Sequence, residues 1–291
     1  KRQFSYLFVY FILILAVGLE SCKKPGCTDP MAYNYNSSAN YNDSTCEYDT
    51  NSAYNVIWLI NHKYNTDSFS YLIDYQDYSG TLIQFTRAAI YAGKTNYSYN
   101  GANRLTNHNY VLINPIKSRY DMGIIYDTTI NEFQCLIGVD SITNHIDPAT
   151  YESSNPLSYQ TPSMHWQMGI DPQYWSYLFI VLEGYVDKNK NNVFESGESF
   201  VFHIGNDGLT SNSNLINFSS SVNENKEFVV EFDIDWHEAI SGIDMAHDNF
   251  THTMDNFPLA QSISCLLCTS PSPRDQRGSG VAGWGWKKKR G

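Results

Sequence analysis

The chain has 291 residues, a formal net charge of −11, 17% charged and 15% aromatic residues, with 22 Tyr and 15 Phe. So many aromatics exclude a disordered body, and the length allows one good core or two small ones. The acidic balance excludes general electrostatic binding of nucleic acid and suits cation binding.

Lys1 and Arg2 precede the apolar run YLFVYFILILAVG, which leads to Leu19-Glu20-Ser21-Cys22. A positive start, a short apolar stretch and a cleavage zone form an export signal over residues 1–21, too short and too close to the terminus for a membrane span. Leu-x-Ser-Cys resembles the lipobox of bacterial lipoproteins. That implies acylation of Cys22 and a cell-envelope protein held to the outer membrane of a Gram-negative bacterium by lipid alone, periplasmic or surface-exposed. In residues 22–53, Cys27 and Cys46 enclose an Asn-, Tyr- and Asp-rich segment. In an exported chain this close pair reads as a disulfide closing a spacer knot.

Residues 54–264 carry short runs rich in β-branched and aromatic residues: NVIWLIN, SYLIDY, TLIQFTRAAIYAG, NYVLIN, FQCLIGVD, YLFIVLEGYV, SFVFHIG and EFVVEFDID. Asn, Gly, Asp and Pro separate them, so the expected fold is all-β, an antiparallel β-sandwich or barrel. Cys135, inside FQCLIGVD, reads as a buried thiol. Helical periodicity is confined to HEAISGIDMAHD and to NFPLAQSIS, the latter a short C-terminal helix. Residues 265–291 have no apolar period and read as a non-native or disordered tail. The tail holds six basic residues against Asp275, so the rest is more acidic than the whole.

DKNKNNVFESGE follows the twelve-position calcium loop, with Asp187, Asn189 and Asn191 at positions 1, 3 and 5, the Val193 carbonyl at 7, Glu195 at 9 and Glu198 at 12. Asn192 replaces the usual Gly at position 6, and Asn is the residue that best tolerates the left-handed backbone needed there. Strand-like flanks make the loop a hairpin tip, and three carboxylates imply weak calcium affinity. The bland alternative is an Asn-rich solvated turn.

The second candidate constellation is histidine-based: His62 after VIWLIN, His165 in MHW, His203 in FVFHIG, and His237, His247 and His252 in the C-terminal part. Neutral imidazole suits copper and zinc, yet any one of these side chains alone reads as surface or hydrogen-bonded core. Catalysis is not expected. The chain has no GxSxG elbow, HExxH pair, phosphate loop or dinucleotide fingerprint, and the acids of EFDID read as a solvated strand face.

The ordered series GVDSITNHIDP, MHW, YLFIVLEG and FVFHIG, with NVIWLINHKYN before it and THTMDNFPLAQ after it, resembles the MbnP-type metal-binding domain over about residues 54 to 262. The resemblance implies a β-rich exported domain for copper capture or handling, with zinc as the alternative metal. Its implied ligands are His62, His203 and Trp166, the last convertible to kynurenine by a diheme peroxidase of the MauG type acting as partner. His165 is an additional candidate. The family continues Met-x-Trp into a second tryptophan, whereas this chain reads MHWQMGIDPQYWSY, so Trp175 takes that role at different spacing. The rival reading is a surface adhesion or polysaccharide-binding β module whose calcium loop is structural.

Overall fold

The computed structural model describes residues 23–266, apart from 30–31, 49–52, 127–129, 168–169 and 219–220. The expected export signal, the expected lipidation site Cys22 and the tail beyond 266 lie outside the described residues. The chain divides into two units, 1–52 and 53–291. In the first, Cys27 and Cys46 form the expected disulfide across a sequence separation of 19. Pro25–Gly26 pairs in parallel with Tyr41–Asn42, and the Asn34 side chain accepts from Glu47 N at 2.9 Å.

The second unit is built on strands β1 (Tyr54–Tyr64), β2 (Leu82–Tyr99), β3 (Ala102–Ile113), β4 (Arg119–Ile125), β5 (Glu132–Ile137), β6 (His165–Gln167), β7 (Trp175–Val186), β8 (Ser199–Gly205), β9 (Glu227–Asp235) and β10 (Phe250–Thr251). One sheet orders its main strands β5-β2-β7-β8-β10, with β3 against β2 and β6 against β7. A second, smaller sheet places β1 between β9 and β4. Most pairs are antiparallel, as expected, but β1 runs parallel to β9 and β8 parallel to β10. The two sheets pack face to face: Trp58 of β1 meets Phe133 of β5 with ring centroids 5.1 Å apart, and Phe133 also meets Phe232 of β9 at 5.8 Å. Tightly packed aromatics supply much of such a core's burial energy.

Sequence pattern accounts for most strands. Central β7 reads WSYLFIVLEGYV and is buried on both faces, since β2 and β8 flank it and neighbouring layers cover it. By contrast, β4 (RYDMGII) lacks an obvious apolar run and is absent from the sequence-expected strands. Its pattern nevertheless buries Tyr120, Met122 and Ile125 on the side facing the core.

Two expectations need correction. Of SYLIDY only its last residue enters a strand, the short Tyr75–Gln76, because Leu72 adopts a left-handed backbone with φ of 58° that bends the chain. HEAISGIDMAHD yields only a 3-10 turn at Glu238–Ile240, since Gly242 at φ 74° ends any helical progression. The C-terminal helix does form, as Phe257–Leu266, burying Leu259, Ala260 and Ile263. Cys135 is buried and unbridged.

Candidate functional site

Strand register assembles the site. Arg87 on β2 lies directly opposite Glu183 on β7. Glu183 in turn opposes Val201 of β8, two positions before His203. That diagonal is within reach of a long side chain. His203 Nε2 meets Glu183 Oε1 at 2.7 Å, and Arg87 Nη1 donates to the same oxygen at 2.8 Å. The His203 hydrogen bond, acting with Arg87 against the effect of burial, holds the Glu183 carboxyl below its ordinary range. An ionised carboxylate only accepts, so neutral His203 carries its proton on Nε2 and presents the lone pair of Nδ1. Nδ1 has no hydrogen bond among the described residues.

The parallel pairing of β10 brings a second imidazole to this point. Val201 pairs with Phe250 and Phe202 with Thr251, and the same offset sets His252 beside His203. Their ring centroids lie 4.9 Å apart at an interplanar angle of 33°. The segment after β10 is fixed by its own polar groups: Thr253 Oγ1 donates to His203 O at 2.9 Å and accepts from Gly205 N at 3.0 Å. Asp255 Oδ1 accepts from His252 N at 2.7 Å. Trp166 meets the His252 ring edge-on at 6.4 Å. A cavity of about 650 Å³ opens here, lined in part by Trp166, Tyr174, Trp175, Asp207, His252 and Met254.

The structure thus sets His203 and Trp166 each against His252 and places His62 elsewhere. His62 lies on β1 of the smaller sheet, its ring stacked on Trp236 with centroids 5.8 Å apart. Trp236 Nε1 donates to His62 Nδ1 at 3.2 Å, and Nε2 donates to Lys117 O at 3.0 Å. Both nitrogens are therefore spent on the fold. His62→Ala is expected to lower stability by about 1–3 kcal/mol by orphaning the buried indole N–H, which urea unfolding measures.

His165 also departs from its expected place. On β6 it pairs with Tyr177 while Trp166 pairs with Ser176, and successive strand residues point to opposite faces. Adjacent in sequence, the two side chains cannot serve one ion. His165 is buried against Tyr177, at 4.8 Å between rings, with neither ring nitrogen hydrogen-bonded. Burial drives its pKa down to about 4. His62 and His237, the latter stacked on Tyr78 at 3.9 Å, are likewise held below the ordinary 6.5 chiefly by burial. All three bind protons more readily unfolded than folded. Stability is therefore fully present above pH 6.5 and falls as the pH drops towards 4. The urea midpoint is expected to decline between pH 7 and 5, and less so in a His237→Phe variant.

The Asp187–Glu198 segment forms the expected hairpin tip between β7 and β8. Asn192 has φ 64°, in the left-handed region its loop position requires. Asp187 is buried and its carboxylate accepts from Asn191 N at 3.0 Å and Asn192 N at 2.6 Å. Glu198 accepts from Lys188 N at 3.1 Å and Glu195 N at 2.9 Å. Asn189 and Asn191 donate their amides to Glu195, while the Val193 side chain is exposed. Among the described residues, no three His, Cys, Asp or Glu side chains gather as a metal cage, here or elsewhere.

Sequence reading placed His252 in the histidine constellation but not among the ligands implied by the resemblance, and did not weigh Arg87 or Glu183. THTMD carries the only available signal for His252, a histidine between two threonines at the end of the family-like stretch.

No curated protein matches the chain. The solved structure of MbnP from Methylosinus trichosporium is similar over 64% of this chain and 77% of that one, with 8% identity and a TM-score of 0.45. The MbnP family model matches residues 55–255, more than half of the chain, and the protein belongs to that family.

Proposed function

We propose that the domain binds a copper ion between His203 and His252 beside Trp166, and that it captures or handles the metal at the cell envelope. The observation that carries this reading is the approach of two imidazoles to 4.9 Å with Nδ1 of His203 left free. Imidazole donors, with the Met254 thioether on the adjoining cavity wall, suit copper better than a hard cation, and zinc second. A bound copper would supply a redox-active centre. The protein's own part is to hold the two imidazoles and keep Trp166 against them. The Cys27–Cys46 disulfide fits an oxidising compartment outside the cytoplasm. Elemental analysis of the purified domain after reconstitution, with mass spectrometry of the peptide holding Trp166, tests the proposal. Bound copper supports it, and a mass gain on Trp166 adds the kynurenine and its peroxidase partner. Absence of copper and zinc would sink it.

The Asp187–Glu198 loop is assigned to calcium as a separate, stabilising ion. At a calcium concentration ten times the dissociation constant, binding adds about 1.4 kcal/mol, so Tm rises by about 3 °C. Asp187→Ala is expected to abolish that shift in a thermal melt.

A second reading follows from the cavity beside the site. Trp166, Tyr174 and Trp175 with Gln173, Asn206 and Asp207 combine flat apolar faces and amide or carboxylate groups, a set suited to a sugar ring. Titration of the metal-free domain with cello- and chito-oligosaccharides, followed by tryptophan fluorescence, distinguishes this from metal handling.

A further inference from the structure

We infer that Arg87 is the positioning residue that sets both arms of the proposed metal site, His203 through Glu183 and Trp166 through the start of β6. The inference rests on the metal reading above. It concerns this chain's own hydrogen bonds, which exist without the metal.

Arg87 is largely buried, with 16% of its side chain exposed, and Glu183 is 28% exposed. One guanidinium nitrogen, Nη1, donates to Glu183 Oε1 at 2.8 Å, and that oxygen receives His203 Nε2–H at 2.7 Å. The other, Nη2, donates to Ser163 O at 2.7 Å and Pro162 O at 3.3 Å, and lies 3.1 Å from Met164 Sδ. Met164 is buried, and its carbonyl accepts from Leu178 N at 2.9 Å, extending the β6–β7 pairing by one residue. Trp166 follows two positions later, on the same face of the extended chain. One side chain therefore ties together the carboxylate that orients His203 and the backbone that delivers Trp166.

The residue type matters. A guanidinium presents several N–H donors in a planar fork, so it serves two separate acceptor groups at once; a lysine ammonium is a point charge on a flexible stem. The geometry also dictates which atom His203 offers. With Nε2–H held by Glu183, the metal would meet Nδ1, and a carboxylate behind a ligating imidazole raises its basicity and fixes its orientation. The register irregularity between Glu183 and Gly184 is the local device that aims these side chains, since such bulges redirect a strand's residues.

The test uses the folded domain, wild type and Arg87→Met, Arg87→Lys and Glu183→Leu. In the metal-free protein, nitrogen-15 NMR of His203 is expected to report the Nε2–H tautomer in wild type. Arg87→Lys should keep that tautomer, whereas Glu183→Leu should give a mixture. With copper(II), Arg87→Met is expected to bind about 10–100-fold more weakly, the usual cost of losing a group that orients a ligand, with an altered electron paramagnetic resonance spectrum. Arg87→Lys should recover part of the affinity lost in Arg87→Met while Trp166 fluorescence stays shifted, because Lys cannot also hold the carbonyls at 162 and 163. A wild-type His203 protonated on Nδ1, or an Arg87→Met protein whose affinity and spectrum lie within about twofold of wild type, would overturn the inference. If wild type and His203→Ala both fail to bind copper or zinc, the metal reading is what fails; the tautomer and fluorescence results still decide whether Arg87 sets the two arms.

Discussion

His203→Ala and His252→Ala each weaken copper binding by at least about 100-fold, while His62→Ala leaves it within about twofold. The expectation for the first two follows from the donor count. Two imidazoles face each other at 4.9 Å, and among the described residues no third His, Cys, Asp or Glu completes a metal-holding group with them, so removing either leaves a single strong nitrogen ligand. Loss of an orienting partner alone typically costs 10–100-fold, and loss of the ligand itself should cost more. For His62 the structure implies the opposite outcome. Its nitrogens are committed to Trp236 and Lys117, so its removal shows in the urea midpoint and not in the copper titration. Competition against a chromophoric chelator measures all three variants. Unchanged affinity in His252→Ala, or lost affinity in a folded His62→Ala protein, would restore the ligand set expected from sequence.

Gly184→Ala is expected to destabilise the domain by about 3 kcal/mol, at the upper end of overpacking costs. A Cβ at this position would lie 1.9 Å from the backbone oxygen of Gln84 and 2.6 Å from the Phe200 ring. A flexible side chain would turn aside, but Gln84 O is backbone of the adjoining strand, since Gly184 pairs with Phe85 and Tyr185 with Gln84. Relief requires β2 and β7 to separate where Arg87 meets Glu183. Copper affinity should therefore fall together with stability, a coupling not expected for a core truncation elsewhere. Urea unfolding with an unchanged m-value measures the first effect. A loss below 1 kcal/mol would show that the strands part more easily than their pairing implies.

Gly184 also illustrates what can be read before folding. LEGY sits in a strand-like run, and a lone strand glycine suggests a bulge or close approach, but which backbone comes close depends on a strand about a hundred positions earlier. The same division holds for the calcium-like loop. All its proposed ligands fall within twelve consecutive residues, and Asn192 adopts the left-handed backbone that its place in the motif demands. Local chemistry sufficed there because turn preferences and short-range Asx hydrogen bonds act within a few residues.

The histidine site was legible only in part. FVFHIG marks β8 and places His203 near its end, and MHW marks a strand carrying Trp166, but sequence adjacency wrongly coupled His165 to that indole. Strand alternation sends neighbouring side chains to opposite faces, so His165 went to the core. Sequence similarity likewise favoured His62, whose true partners are Trp236 and the carbonyl of Lys117.

By itself, the sequence determined the all-β class, the principal central strands, the disulfide pair, the hairpin-tip loop and the C-terminal helix. Each follows from side-chain period, turn chemistry or a short cysteine spacing, all local properties of the chain. Only the tertiary structure decided that β10 runs parallel to β8 and so brings His252 beside His203, and that Arg87 reaches both Glu183 and the approach to Trp166. Those contacts depend on strand order and register between distant segments. A shift of one residue turns every side chain to the other face, so the long-range pairing, not the motifs, chooses which histidines meet.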